Sequence, residues 1–183
     1  MSACKLHKIE DLIRIFERIF FKTYNTKLVV GHDEPVYLPA DENTQYHQIV
    51  FAHGFYASAL HEIAHWCLAG PKRREQLDYG YWYNPDGRNK QQQQKFEFVE
   101  IKPQAIEWIL SVCAGFDFKV SCDNLNGSYT PDRHAFRARI YSQVEQYLAG
   151  KLPTRAKLLG IALADFYQVK HPFSIKKFTV EER

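Results

Sequence analysis

Residues 56–71 read Tyr56-Ala57-Ser58-Ala59-Leu60-His61-Glu62-Ile63-Ala64-His65-Trp66-Cys67-Leu68-Ala69-Gly70-Pro71. Ala57, Leu60, Ala64 and Leu68 recur at helical spacing, and Trp66 and Cys67 add apolar bulk. The pattern predicts a half-buried helix over about 56–69, with Gly70 as its C-terminal cap and Pro71 unable to continue it. On that helix His61 and His65 stand four residues apart, one above the other. A buried imidazole needs a partner, either a metal or a carboxylate. Two imidazoles on one face can share one metal ion, and Glu62 lies beside them, near enough to act on a metal-bound water.

Short strand candidates precede this helix at Leu28–Val30 and Ile49–Ala52, with an extended stretch at Pro35–Pro39 between them. Further back, Leu6, Ile9, Leu12, Ile13, Phe16, Ile19 and Phe20 define an amphipathic helix over 6–21. Beyond the metal helix come the charged run Lys72-Arg73-Arg74-Glu75, the aromatic strip Tyr79, Tyr81, Trp82 and Tyr83, and the turn Asn84-Pro85-Asp86-Gly87. Gln91–Gln94 reads as a solvated helix start. Phe96, Val99, Pro103, Ile106, Leu110 and Cys113 then form one stripe to about Ala114, with Pro103 the weak point. Phe116–Ser121 alternates like an edge strand. Thr130-Pro131 predicts the start of a helix ending at Gly150, another helix is expected over 154–167, and the last dozen residues read as a tail. The fold class expected is α+β: one helix-rich domain over 1–183, with a small sheet and a protease-like His-Glu-x-x-His helix.

A catalytic metal site wants a third protein ligand and an open position. Glu97 and Glu100 are the candidates, and at 100° per residue Glu100 leans closer to the apolar stripe. A carboxylate that leans toward the core needs a cation, which favours Glu100 with Glu97 as the alternative. Glu107, two turns on, would buttress the ligand helix or face solvent. With zinc and Glu62 as general base, the set His61, His65 and Glu100 is a hydrolase site. With ferrous iron the same ligands support oxygenase chemistry. Glu62-x-x-His65 and Glu97-x-x-Glu100 also have the spacing of di-iron carboxylate proteins, which usually draw further ligands from other helices.

Composition limits the remaining choices. The chain has 183 residues, and at that length roughly 70% of the unfolded surface is buried on folding. The net charge of +3 is too small for a nucleic-acid footprint, and no apolar run is long enough to span a membrane. Cys4, Cys67, Cys113 and Cys122 form no Cys-x-x-Cys pair, and no signal-peptide pattern opens the chain. A reduced cytoplasm is therefore expected. No glycine-rich nucleotide loop is present, so a flavin or nicotinamide held by this chain is not expected, and no motif identifies the electron donor.

Five separated motifs carry a resemblance. They are Asp33–Ala40, Phe51–Gly70, Tyr79-Gly80-Tyr81-Trp82-Tyr83, Pro85-Asp86-Gly87-Arg88 and Ser121-Cys122-Asp123-Asn124-Leu125. From about residue 10 to about residue 150 the chain closely resembles the bacterial elongation factor P hydroxylase family. The resemblance implies hydroxylation of the modified lysine of elongation factor P, after that lysine has received a β-lysyl group. It implies a protease-like core with a two-His-one-carboxylate set in which His61 and His65 match the histidines. Glu97 and Glu100 both match family positions. Ferrous iron is the working metal expected, with zinc possible in isolated protein. Under this reading Tyr81, Trp82 and Tyr83 would receive the stem of the substrate lysine, with Asp86, Arg88 and Asp123 contacting it. His53 would line the pocket, and Lys72, Arg73 and Arg74 would form a basic rim. The rival readings are a zinc peptidase using Glu62 and a non-catalytic module that holds elongation factor P.

Overall fold

A computed structural model describes residues 6–79 and 86–181. Helix α1 (Ile9–Tyr24) buries Leu12, Ile15, Phe16 and Phe20 and ends on Asn25 in the left-handed region at φ 47°. Strands β1 (Thr26–Gly31), β2 (Val36–Leu38) and β3 (His47–Ala52) form a sheet in the order β1-β3-β2. β3 runs parallel to β1, with Leu28 opposite Ile49, and antiparallel to β2, with Tyr37 also opposite Ile49. His53 and Gly54 then take φ values of 55° and 69° and turn the chain into α2 (Tyr56–Leu68).

The expected ends of α2 hold within a residue, but its cap does not. Ala69, in an extended conformation, ends the helix, and no left-handed glycine is used. The freed C-terminal carbonyls are taken by arginines instead. Arg155 donates to Cys67 O at 3.1 Å and also to Ala69 O, while Arg74 donates to Ala69 O at 2.8 Å. Positive charge at a helix C-terminus is favourable for the same reason that open carbonyls there are partly negative.

Helix α3 (Lys90–Ala114) is longer than its apolar stripe, because an Asn89–Gln92 capping box starts it a turn and a half before Phe96. Every residue from Pro103 to Ser111 is buried, so α3 is the central post of the fold rather than a surface helix. Pro103 interrupts neither end. The hydrogen bond it cannot donate falls at Val99, on the helix's half-exposed side. Helices α4 (Arg133–Gln146) and α5 (Thr154–Tyr167) pack on α3. α5 has the bounds read from the sequence. α4 starts later than Thr130-Pro131 suggested, because the Asp132 side chain accepts from Ala135 N at 2.9 Å and is the true cap.

Two further expectations are corrected. Phe116–Ser121 alternates in burial, with Phe118 and Val120 inside, but it forms no strand and pairs with none among the described residues. It lies on α3, where Gln104 and Arg133 side chains take its backbone groups at Ser121 and Val120. The last residues are not a loose tail either. Phe178 is buried with its ring centroid 5.7 Å from that of Trp108, and Arg137 donates to Thr179 O at 3.1 Å. The class is the helix-rich α+β fold with a small sheet that the sequence indicated.

Candidate metal centre

α2 and α3 face each other along the His61–His65 side of α2. His61 Nε2 and His65 Nε2 lie 3.0 Å apart. Glu100 reaches in from α3, with one carboxylate oxygen 3.5 Å from His61 Nε2 and the other 3.3 Å from His65 Nε2. Two donors each about 2.1 Å from a shared ion, at angles near 90–110°, lie roughly 3.0–3.4 Å apart. The three side chains therefore have the spacing of ligands around one ion. Among the described residues, His61, His65 and Glu100 are the group of metal-capable side chains brought together in this way, with ligand atoms within 4.8 Å of one another.

The surroundings favour a cation. Glu100 is 1% exposed. Glu107, also buried, accepts from His61 Nδ1 at 2.8 Å, and Glu62 stands on the cleft side of the histidines. Burial alone would lower His61. The hydrogen bond to Glu107 and the negative charges of Glu107, Glu100 and Glu62 outweigh it, lifting His61 to about 10. Burial raises the carboxyl of Glu62, the charges of Glu100 and Glu107 add to the rise, and His61 and His65 oppose it. Three carboxylates crowd two imidazoles, and a divalent ion between the Nε2 atoms is the natural counter-charge.

Glu97 sits one turn before Glu100 but belongs to a different network. It is 5% exposed, paired with Arg139 of α4, and accepts from Gln93 Nε2 at 3.0 Å. Its negative charge is thus already balanced away from the histidines. Gln104, one turn after Glu100, donates to Glu100 Oε2 at 3.4 Å and to Ser121 O at 2.7 Å. It also accepts from Ser121 N at 3.1 Å. Gln93, expected to be solvated as part of the Gln91–Gln94 helix start, is fully buried instead, and Gln104 is not singled out by the sequence. The available signal was a polar residue four positions from each glutamate, on the same face of the helix.

A cleft opens beside the centre, lined by Tyr37, Glu62, His65, Arg73, Arg74 and Asp78. The guanidiniums of Arg73 and Arg74 are engaged within the fold: Arg73 pairs with Asp78, and Arg74 holds the end of α2. Lys72 is exposed. Tyr81, Trp82 and Tyr83 lie outside the described residues.

The remaining candidates make contacts of their own within the fold. Arg88 is 1% exposed. It donates to Gln93 Oε1 at 2.7 Å and to Asp123 O, and its guanidinium lies 4.0 Å above the Phe96 ring. Asp86 is exposed and accepts from Asn126 Nδ2 at 2.6 Å; hydrogen bonds from the backbone of Gly87 and Asn126 hold its carboxyl below the usual range. Asp123 pairs with Arg133 at 2.7 Å on the surface. His53 has its ring centroid 5.7 Å from that of Phe55, where the chain turns into α2. These contacts knit residues 86–89 to residues 121–126 and tie both to the start of α3.

A sequence model of a family described as "Elongation factor P hydroxylase" matches residues 15–178. A protein of Haemophilus influenzae named "Elongation factor P lysine hydroxylase" is 52% identical to the chain over 174 residues, covering 95% of this chain and 97% of that protein.

Proposed function

The chain belongs to the elongation factor P hydroxylase family, and from that premise we propose that it hydroxylates the β-lysylated lysine of elongation factor P. The reaction uses dioxygen at a mononuclear centre formed by His61, His65 and Glu100, with ferrous iron as the working metal. The observation that carries the reading is the convergence of two Nε2 atoms 3.0 Å apart on the buried carboxylate of Glu100, whose oxygens lie 3.5 and 3.3 Å from them. Two histidines and one carboxylate with open positions are the donor set of non-haem iron oxygenases. Zinc binds such sites more tightly than iron and is expected to compete in isolated protein.

Bound iron supplies the redox chemistry that makes dioxygen reactive toward a C–H bond. Overall, one oxygen atom enters that bond, the other leaves as water, and a reductant separate from this chain provides two electrons with two protons. The chain's own residues orient and enclose. Glu107 fixes the His61 ring, Gln104 holds Glu100, and α3 carries both at fixed spacing. Glu62 lines the cleft beside His65 and is placed to move a proton at its carboxyl oxygen. Arg73 is paired with Asp78, so the positive charge that would steer an acidic face of the partner, rather than the cationic lysine itself, comes from Arg74. No direct nucleic-acid contact is part of this reading. No helix among the described residues is long and apolar enough to cross a membrane. A cytoplasmic setting, where the translation factor works, follows from the proposed partner.

Glu62 also supports a second reading, a zinc peptidase, because that mechanism needs a carboxylate base beside the ligands. Intact-mass measurement on β-lysylated elongation factor P separates the two. Metal-loaded protein is expected to add the mass of one oxygen atom, with the gain lost when air or the metal is removed. No gain from a preparation holding one iron per chain would overturn the hydroxylase reading. Peptide cleavage that disappears in E62Q while zinc stays bound would establish the rival.

A further inference from the structure

We propose that Glu107 is a positioning residue of the centre, setting the tautomer and ring orientation of His61 so that His61 Nε2 presents its lone pair to the metal. The inference rests on the mononuclear-centre reading and assigns a role to a residue outside the ligand set.

His61 has two ring nitrogens, and only one can bind the ion. Its Nδ1 lies 2.8 Å from Glu107 Oε2, while its Nε2 faces His65 Nε2 and Glu100. A carboxylate can only accept, so Nδ1 carries the hydrogen and Nε2 is left as the basic nitrogen. The other tautomer would place a hydrogen where the ion belongs and leave two acceptors, Nδ1 and Oε2, facing each other. A carboxylate behind an imidazole also makes it a stronger donor to a metal. His65 lies one turn further along α2, and no comparable carboxylate contact is seen at its Nδ1 among the described residues.

The position of Glu107 explains how the geometry is kept. Glu100 and Glu107 are seven residues apart on α3, two turns on one face, so one rigid helix carries both a ligand and the support of the opposing ligand. The stretch of α3 that bears Glu107 is buried all round. A sliding of α3 along α2 would therefore disturb Glu100 and the His61 ring together. A hydrogen-bonded carboxylate that merely joined two helices would be expected at any point of their contact. This one falls on the nitrogen opposite the converging lone pairs. It also adds a third negative charge to the pocket, which a bound cation would offset.

The test is metal affinity in wild type, E107Q and E107A, measured with Zn²⁺ by chelator competition, together with the visible absorption of the Co²⁺-substituted forms. The apo-protein melting temperature is recorded in parallel. E107Q keeps an oxygen that can accept from Nδ1 but loses the charge; E107A loses both. Affinity is expected to fall about 10-fold in E107Q and about 100-fold in E107A, the range typical of carboxylates behind metal-bound histidines. The Co²⁺ bands should shift in both, and apo E107Q should melt no lower than wild type. Unchanged affinity and bands in E107Q, with or without a lower melting temperature, would overturn the positioning role and leave a helix tie. Wild-type protein that takes up no ion would instead overturn the centre itself, and the role of Glu107 with it.

Discussion

Replacing Glu100 with Gln is expected to weaken metal binding by more than about 100-fold, beyond what loss of an outer partner costs. Hydroxylation of elongation factor P should fall with it to background. The substitution keeps the side chain's shape and still offers an oxygen to Gln104 Nε2, which lies 3.4 Å from Glu100 Oε2. It also removes one of three carboxylates crowding His61, so the apo protein should stay folded. H61A and H65A should lose the ion as well. E97Q should keep it, because Glu97 is occupied by Arg139 and Gln93. Atomic-absorption stoichiometry on the purified variants checks all four. Full occupancy in E100Q together with loss in E97Q would move the carboxylate ligand to Glu97.

Arg88→Ala is the second large effect, and it is expected to appear in stability rather than in catalysis. The wild-type guanidinium satisfies Gln93 Oε1 and Asp123 O and lies over Phe96. Truncation leaves the buried Gln93 Oε1 and the part-buried Asp123 O without their donor and removes the packing over Phe96, so a loss of about 3 kcal/mol is expected. For a chain of this length that is a fall in melting temperature of roughly 6–12 °C. Lys should not rescue it, since an ammonium cannot reproduce the planar fork that serves both acceptors. Turnover per folded molecule, well below the melting transition, should keep a near-normal KM. A wild-type melting temperature with a strongly raised KM would instead make Arg88 a substrate contact.

The contrast between these two residues shows what the sequence could reveal. His61, His65 and Glu100 were legible because helical spacing alone decides which side chains share a face, and α2 and α3 are regular helices. Strong local punctuation placed α2 between Gly54 and Pro71, and α5 was bounded equally well. Arg88 was not legible. An arginine beside a turn is ordinarily solvated, and the return of residues 121–126 over the start of α3 helps to bury it. The same tertiary step explains Phe116–Ser121. Its alternating burial is real, but the surface it lies on is a helix, and no strand partner reveals itself in sequence. The final residues looked loose for a similar reason: Phe178 finds its cavity wall at Trp108, seventy residues earlier in the chain. Gln104 escaped notice because a lone amide on a helix carries no signal until the chain it clamps, at Ser121, is in place.

What separates an oxygenase from a hydrolase built on the same three ligands is the origin of the oxygen atom in the product. The direct measurement is reaction of iron-loaded protein with β-lysylated elongation factor P under isotopically heavy dioxygen in ordinary water, and the reverse, followed by intact-mass analysis of the modified lysine. One heavy oxygen atom per lysine from dioxygen, and none from water, is the expected result. Label arriving from water, or a product of lower mass through a cleaved bond, would contradict oxygenation at the His61–His65–Glu100 centre.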